Sequence, residues 1–186
     1  MRILACADLH GRPDRIARVR ALAAEHAPDV VLLPGDLTHA GYGEDALALL
    51  QELSVPVLAV PGNMDGAAAV AAIAQRGRLA GAQPVVIGGV AFGGPQVRAP
   101  CDVLVTHEPP YGTLDAPVPG RHVGSRGVLD LLRRYRPRVL TCGHIHESPG
   151  IARVEETLVV NCTMGDGKTG GALIALTADG ATARLL

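Results

Sequence analysis

Short apolar runs punctuate the chain, and five of them end in a polar side chain with an electron pair to offer. Ile3–Ala7 leads to Asp8-Leu9-His10, and Val30–Leu33 leads through Pro34-Gly35 to Asp36. Val55–Val60 leads through Pro61-Gly62 to Asn63, Val103–Val105 to Thr106-His107, and Val139–Thr141 to Cys142-Gly143-His144-Ile145-His146. Runs of this length, rich in Val, Leu and Ile and bounded by Gly or Pro, predict buried strands. Helical spacing fills the gaps. Arg12–His26 carries Ile16, Val19, Leu22 and Ala23 as one stripe, with Pro13 suited to its first turn. Glu44–Leu53 turns Ala46, Leu47, Leu49, Leu50 and Leu53 inward. Asp65 is placed to cap an Ala-rich helix over Gly66–Gln75, and Gly124–Tyr135 shows Val128, Leu131, Leu132 and Tyr135 on one face. The first half therefore reads βαβαβα, a mainly parallel sheet with right-handed crossovers.

The pattern then changes. Val85–Ile87 and Val90–Phe92 flank Gly88-Gly89, a hairpin signal. Glu108–Arg121 is a Pro- and Gly-rich loop, of a length that in compact domains is functional or disordered. Ile151–Val154, Leu158–Asn161, Ala172–Leu176 and Thr182–Leu185 predict antiparallel strands. With no internal repeat and no linker, the expectation is an α/β protein of two packed mixed sheets with helices outside, residues 1–186 forming one domain.

Composition narrows the function. The 186 residues are 48% hydrophobic and 19% charged, with a net charge of -1. No block of like charge exceeds two residues, so the chain lacks the basic footprint of a nucleic-acid or anionic-membrane binder. Aromatics at 2% leave little for base stacking. Cys6, Cys101, Cys142 and Cys162 are dispersed inside or beside apolar runs, as reduced thiols of a cytoplasmic protein would be. No apolar run reaches the roughly 18 residues of a membrane span. The expected partner is a small molecule, and a homodimer stays open.

A carboxylate at the mouth of an apolar run is costly unless it meets a cation, and ligands of α/β sheets gather beyond the carboxyl ends of the strands. Asp8 and His10, two apart on an extended segment, would point the same way, as would His144 and His146. With Asp36, Asn63 and His107 they make seven donors, too many for one tetrahedral ion and about right for two. Mixed oxygen and nitrogen donors without thiolate favour Mn, Fe, Zn, Co or Ni. Two ions sharing one carboxylate and a bridging hydroxide is an arrangement for in-line attack on phosphorus, and Asp36 is the expected bridge.

These residues resemble the calcineurin-like metallophosphoesterases, through Asp8-Leu-His10, Gly35-Asp36, Gly62-Asn63, His107 and Gly143-His144-Ile-His146, in that order. GDLTHAG, THEPPYGT, HVGS and CGHIHES look closest to the small, cap-less predicted phosphoesterases of bacteria and archaea. The resemblance implies a four-layer αββα sandwich and two divalent ions, with manganese first choice. It puts one on Asp8, His10, Asp36 and His146 and the other on Asp36, Asn63, His107 and His144. It implies hydrolysis of phosphodiesters or activated phosphomonoesters, with Asp36 and Asn63 in the catalytic set.

One position departs from the pattern: Met64 stands where the family has a histidine that assists the departing oxygen, and a thioether donates no proton. Met64, Asp65, His39, Tyr111 and His122 are the substrate-side candidates, with His39 and His122 as substitute donors. A weakly active or inactive scaffold and a nuclease are the rival functions. Gly165-Asp-Gly167-Lys-Thr-Gly170 matches GxGxxG, yet leads into an apolar strand instead of a helix; it predicts a hairpin connection whose Lys168 could still reach the site.

Overall fold

The computed structural model describes all residues, Met1–Leu186. Strands β1 (Arg2–Ala5), β2 (Val30–Pro34) and β3 (Val57–Val60) run parallel as expected. Strands β10 (Ala172–Thr177) and β11 (Gly180–Leu185) extend that sheet antiparallel, giving the order β11-β10-β1-β2-β3. The second sheet has the order β4-β5-β6-β7-β9-β8, built from Val85–Ile87, Val90–Gly93, Val103–Val105, Val139–Cys142, Gly150–Val154 (β8) and Thr157–Asn161 (β9).

Alternation along the strands builds the layers. Ile3, Ala5, Val30 and Leu32 of the first sheet meet Phe92, Val103, Val105, Val139 and Val160 of the second in one core between the sheets. The intervening Leu4, Val31 and Leu33 face outward, against Ile16, Val19 and Leu22 of α1 (Pro13–His26) and Ile73 of α3 (Ala67–Arg76). Leu104, Leu140 and Val159 likewise face Val128 and Leu132 of α4 (Arg126–Tyr135). Side chains two apart share a face, so fully buried strands feed two cores at once. The result is the four-layer αββα sandwich.

Three local expectations change. The predicted helix over Glu44–Leu53 is a 3-10 turn, Glu44–Ala48, followed by a single helical turn, Leu49–Glu52 (α2). Asp65 does not cap α3; Gly66 holds that position without a side-chain bond, because the Asp65 carboxylate is engaged elsewhere. The tail is not wholly antiparallel: β9 pairs antiparallel with β8 but parallel with β7. Consequently β9 and β10 lie in different sheets, and Gly165–Gly170 is a crossover between sheets instead of a hairpin. The Gly88-Gly89 hairpin is as expected, with both glycines at positive φ.

All five motif-bearing strands end at one rim. β1, β2 and β3 run parallel in the first sheet, and β6 and β7 in the second, so the residues beyond their carboxyl ends meet above the gap between the sheets.

Candidate metal centre

At that rim the seven predicted donors come together. His10 Nε2 lies 3.3 Å from His146 Nε2 and 3.9 Å from Asp36 Oδ2, and His146 Nε2 lies 3.7 Å from Asp8 Oδ1. On the other side His107 Nε2 is 2.9 Å from Asn63 Oδ1, 3.2 Å from His144 Nδ1 and 3.4 Å from Asp36 Oδ2. Donors sharing a divalent ion at about 2.1 Å stand roughly 3.0–3.4 Å apart between octahedral and tetrahedral angles. The closest contacts here fall in or near that range, so the residues fit a metal.

Protonation supports the same fit. His107 Nδ1 lies 3.0 Å from the Pro34 carbonyl, which only accepts, so Nδ1 carries a hydrogen. In the neutral ring the Nε2 electron pair then faces two oxygens and a nitrogen, an arrangement that calls for a cation. Burial pushes the His107 imidazole toward neutrality, but the hydrogen bond and charge of Asp36 outweigh it and raise its pKa. Burial likewise opposes ionisation of Asp36, yet His107 and the Met64 N–H hold its carboxyl below the usual carboxylate range. His146 is raised chiefly by its bond to Asp8, whereas burial lowers His10 and His144.

Asp8 belongs to both candidate groups, Asp8-His10-His146 and Asp8-Asp36-His107, whose ligand atoms lie within 4.8 Å of one another, and Asp36 reaches both halves through His10 and His107. Their surroundings differ. Asp8 approaches His107 only at Nδ1, 4.0 Å away, the nitrogen already committed to Pro34, and both Asp8 oxygens accept from the His144 N–H. Asp36 anchors Oδ1 on the Met64 N–H at 2.7 Å and leaves Oδ2 facing Nε2 of both His10 and His107. Asp36 Oδ2 therefore has an imidazole Nε2 on either side, at 3.9 and 3.4 Å.

The backbone achieves this by a route that spacing alone did not show. The paired donors are not on extended segments: Asp8, His10, Asp36 and His144 all have positive φ, between 50° and 70°. Non-glycine residues rarely adopt that region, and when they do it marks a special site. Close packing completes the arrangement. A Cβ on Gly62 would run into the Asp36 carboxylate, and one on Gly165 into the His146 ring.

A depression of about 580 Å³ opens beside His10, Asp36, Asn63, His144 and His146, and His39 and Met64 also line it. A smaller one of about 240 Å³ lies against Asn63, His107 and His144 on the far side. His39 is therefore at the site, with Nδ1 3.3 Å from His10 Nδ1. Tyr111 and His122 line neither depression. His122 bonds the buried Asp115 at 2.6 Å, Asp115 also accepts from the Gly112 and Gly124 N–H groups, and Arg126 stacks over Tyr111, so these residues order the long loop. Asp65 lines neither depression: buried, it accepts from the Thr38 N–H, the Thr38 hydroxyl and the Gly62 N–H, tying the turn after β2 to the turn after β3. Arg12 and Arg15, which no sequence motif marks, both line the larger depression, and Arg15 donates to the Asp8 carbonyl at 2.6 Å.

Residues 1–148 match the calcineurin-like phosphoesterase family. An uncharacterized protein of Methanocaldococcus jannaschii, MJ1162, is 30% identical over an alignment covering 87% of each chain. Among solved structures, TT1561 of Thermus thermophilus superposes with a TM-score of 0.70 at 17% identity, covering 99% of this chain and 98% of that one. An archaeal phosphodiesterase superposes with a TM-score of 0.63 at 17% identity over the full length of both chains.

Asp65 gives a direct check on the scaffold. Asp65→Ala strands three donors, two of them amides, and should cost about 3 kcal/mol of unfolding free energy, read as a lower urea midpoint at unchanged slope. A loss below about 0.5 kcal/mol would show that these bonds do not brace the site.

Proposed function

The chain belongs to the calcineurin-like phosphoesterase family, and on that footing we propose that it is a metal-dependent hydrolase of small phosphodiesters or activated aryl phosphomonoesters. What supports the reading is the meeting of seven oxygen and nitrogen donors at one rim, with Asp36 Oδ2 between His10 Nε2 and His107 Nε2. In this reading Asp8, His10, Asp36 and His146 hold one divalent ion, and Asp36, Asn63, His107 and His144 hold the other. Manganese is the expected metal; iron, zinc, nickel and cobalt suit the same donors. When bound, such a pair supplies an activated water and offsets charge on the phosphate oxygens.

The chain's own groups do the positioning. The Pro34 carbonyl fixes the His107 tautomer, so that Nε2 is the ligating atom. The Met64 N–H keeps the Asp36 carboxylate from rotating. Asn63, the exposed member of the set, stands where both depressions meet and would steady the substrate beside the second ion. A pocket of about 580 Å³ suits a small ester. No helix is long and apolar enough to cross a membrane. The four cysteines are free and buried, in keeping with a reducing cytoplasm.

The test is a Mn²⁺-dependent assay on bis(p-nitrophenyl) phosphate beside the monoester and single-stranded DNA. The diester should be cleaved, chelation should stop it, and DNA should be left intact. Asp36→Ala should lower turnover by at least about 10³-fold, since a shared ligand supports both ions. Turnover of none of the three substrates would favour the scaffold function; preferential cleavage of DNA would favour a nuclease.

Met64 sets a second expectation. Its thioether supplies no proton, and general-acid help is worth about 10²–10⁴-fold. Rates of the natural sequence should therefore fall steeply as leaving-group pKa rises. Met64→His should speed alkyl esters about 10²-fold while changing activated aryl esters little. A flat leaving-group dependence before substitution would mean that another group, such as His39 in the wall of the depression, already protonates the leaving oxygen.

A further inference from the structure

Beside the metal centre, on the α1 side, lies a second depression of about 560 Å³. Arg12, Arg15, Arg18 and Lys168 line it, and it shares Arg12 and Arg15 with the depression over the donor cluster. Arg15 and Arg18 are three residues apart on one ridge of α1, and Arg12 is the residue just before the helix, so like charges gather at its start. Elsewhere on this helix a cation is neutralised: Arg20 forms a two-pronged pair with Glu52 at 2.6 and 3.1 Å. In the groove only Arg12 has a carboxylate partner, the exposed Asp14 at 3.1 Å; Arg15, Arg18 and Lys168 have none within 4.0 Å.

Two further features show how the groove is built. Arg15 bridges the wall between the depressions, donating from Nη1 to the Asp8 carbonyl at 2.6 Å and from Nη2 to the Gly165 carbonyl at 3.4 Å. The GDGKTG loop forms the opposite wall. Its Asp166 carboxylate takes the N–H groups of Lys168 and Thr169 at 3.0 and 2.8 Å and the Thr169 hydroxyl at 3.0 Å. Those amides are occupied and cannot cradle a phosphate; the loop instead presents the exposed Lys168 ammonium. Anion binding here falls to side-chain cations, and guanidinium groups match the geometry of phosphate oxygens.

We propose that this groove receives a second, non-reacting phosphate of the substrate, so that the enzyme prefers phosphoesters bearing an additional phosphate group. The assignment of which phosphate is cleaved rests on the phosphoesterase reading; the anion site itself does not. One depression in a chain of net charge -1 suits a single added phosphate, not the long backbone of a polynucleotide.

Two matched probe pairs test this. In EDTA, calorimetric titration compares thymidine 3′,5′-bisphosphate with thymidine 5′-monophosphate. With Mn²⁺, kcat/KM compares thymidine 5′-(p-nitrophenyl phosphate) with and without a 3′-phosphate. The 3′-phosphate should improve both quantities by about tenfold, the effect of one charge-assisted contact. Added salt should shrink the gain. In Arg18→Gln with Lys168→Gln, and to a smaller extent in Lys168→Gln alone, the ratio should fall toward one. Both residues are exposed, and circular dichroism checks that the variants fold. Equal affinities, binding of neither nucleotide, or an undiminished preference in the double variant would overturn the proposal. Preferential binding without hydrolysis of either ester would leave the anion site standing and bring down the phosphoesterase reading instead.

Discussion

Two carboxylates without a permanent cation set the terms for this molecule. Asp8 and Asp36 are 0% and 2% exposed, at the ends of adjacent parallel strands. Removing a charge from water costs several kcal/mol even after relaxation. No Lys or Arg side chain pairs with either carboxylate; Arg15 spends its bond on the Asp8 carbonyl instead. The only partners are imidazoles, whose charge comes and goes, and amide hydrogens. Folding thus prepares a negative hollow ringed by nitrogen lone pairs, a poor place for a void and a good one for divalent cations.

The rest of the fold can be understood as what it takes to hold that hollow open. Four of the seven donors have left-handed backbone, at a cost of about 1–3 kcal/mol each. Such turns persist only where their surroundings over-determine them. Here the strands feeding them are buried on both faces, packed between two cores, and the turns are laced together by Asp65 and by contacts that only glycine permits at positions 62 and 165. Stability is concentrated in the strands, and strain is concentrated at their ends.

The site was legible in the sequence to the extent that side-chain type and strand direction decide it. Apolar runs ending in Asp, Asn or His announced themselves, and parallel strands bring all such ends to one rim, so the seven donors could be named. The turning of the backbone was not legible: Asp8 and His10 were expected to align as alternate residues of a strand, whereas they align because both are left-handed. Asp65 looked like a helix cap because a local rule fits its position; a tertiary demand, three donors on two other turns, took its carboxylate away. The Glu44–Leu53 segment carries helical spacing but is interrupted, and the tail departs from an all-antiparallel order because β9 also pairs parallel with β7, a choice of neighbour that apolar pattern does not encode. Arg12 and Arg15 carry no signal of their own in the sequence, since only the fold brings the start of α1 beside the cluster. His122 and Tyr111 lie in a long loop whose order comes from the buried Asp115, a role that loop length alone does not reveal.

The central claim is that Asp36 stands between two cations. Anomalous diffraction from crystals of the full chain grown with Mn²⁺ and collected at the manganese edge would decide it. The account predicts two peaks, both bonded to the Asp36 carboxylate, one also touching Asp8, His10 and His146 and the other Asn63, His107 and His144. A single peak, or ions bound away from Asp36, would contradict it.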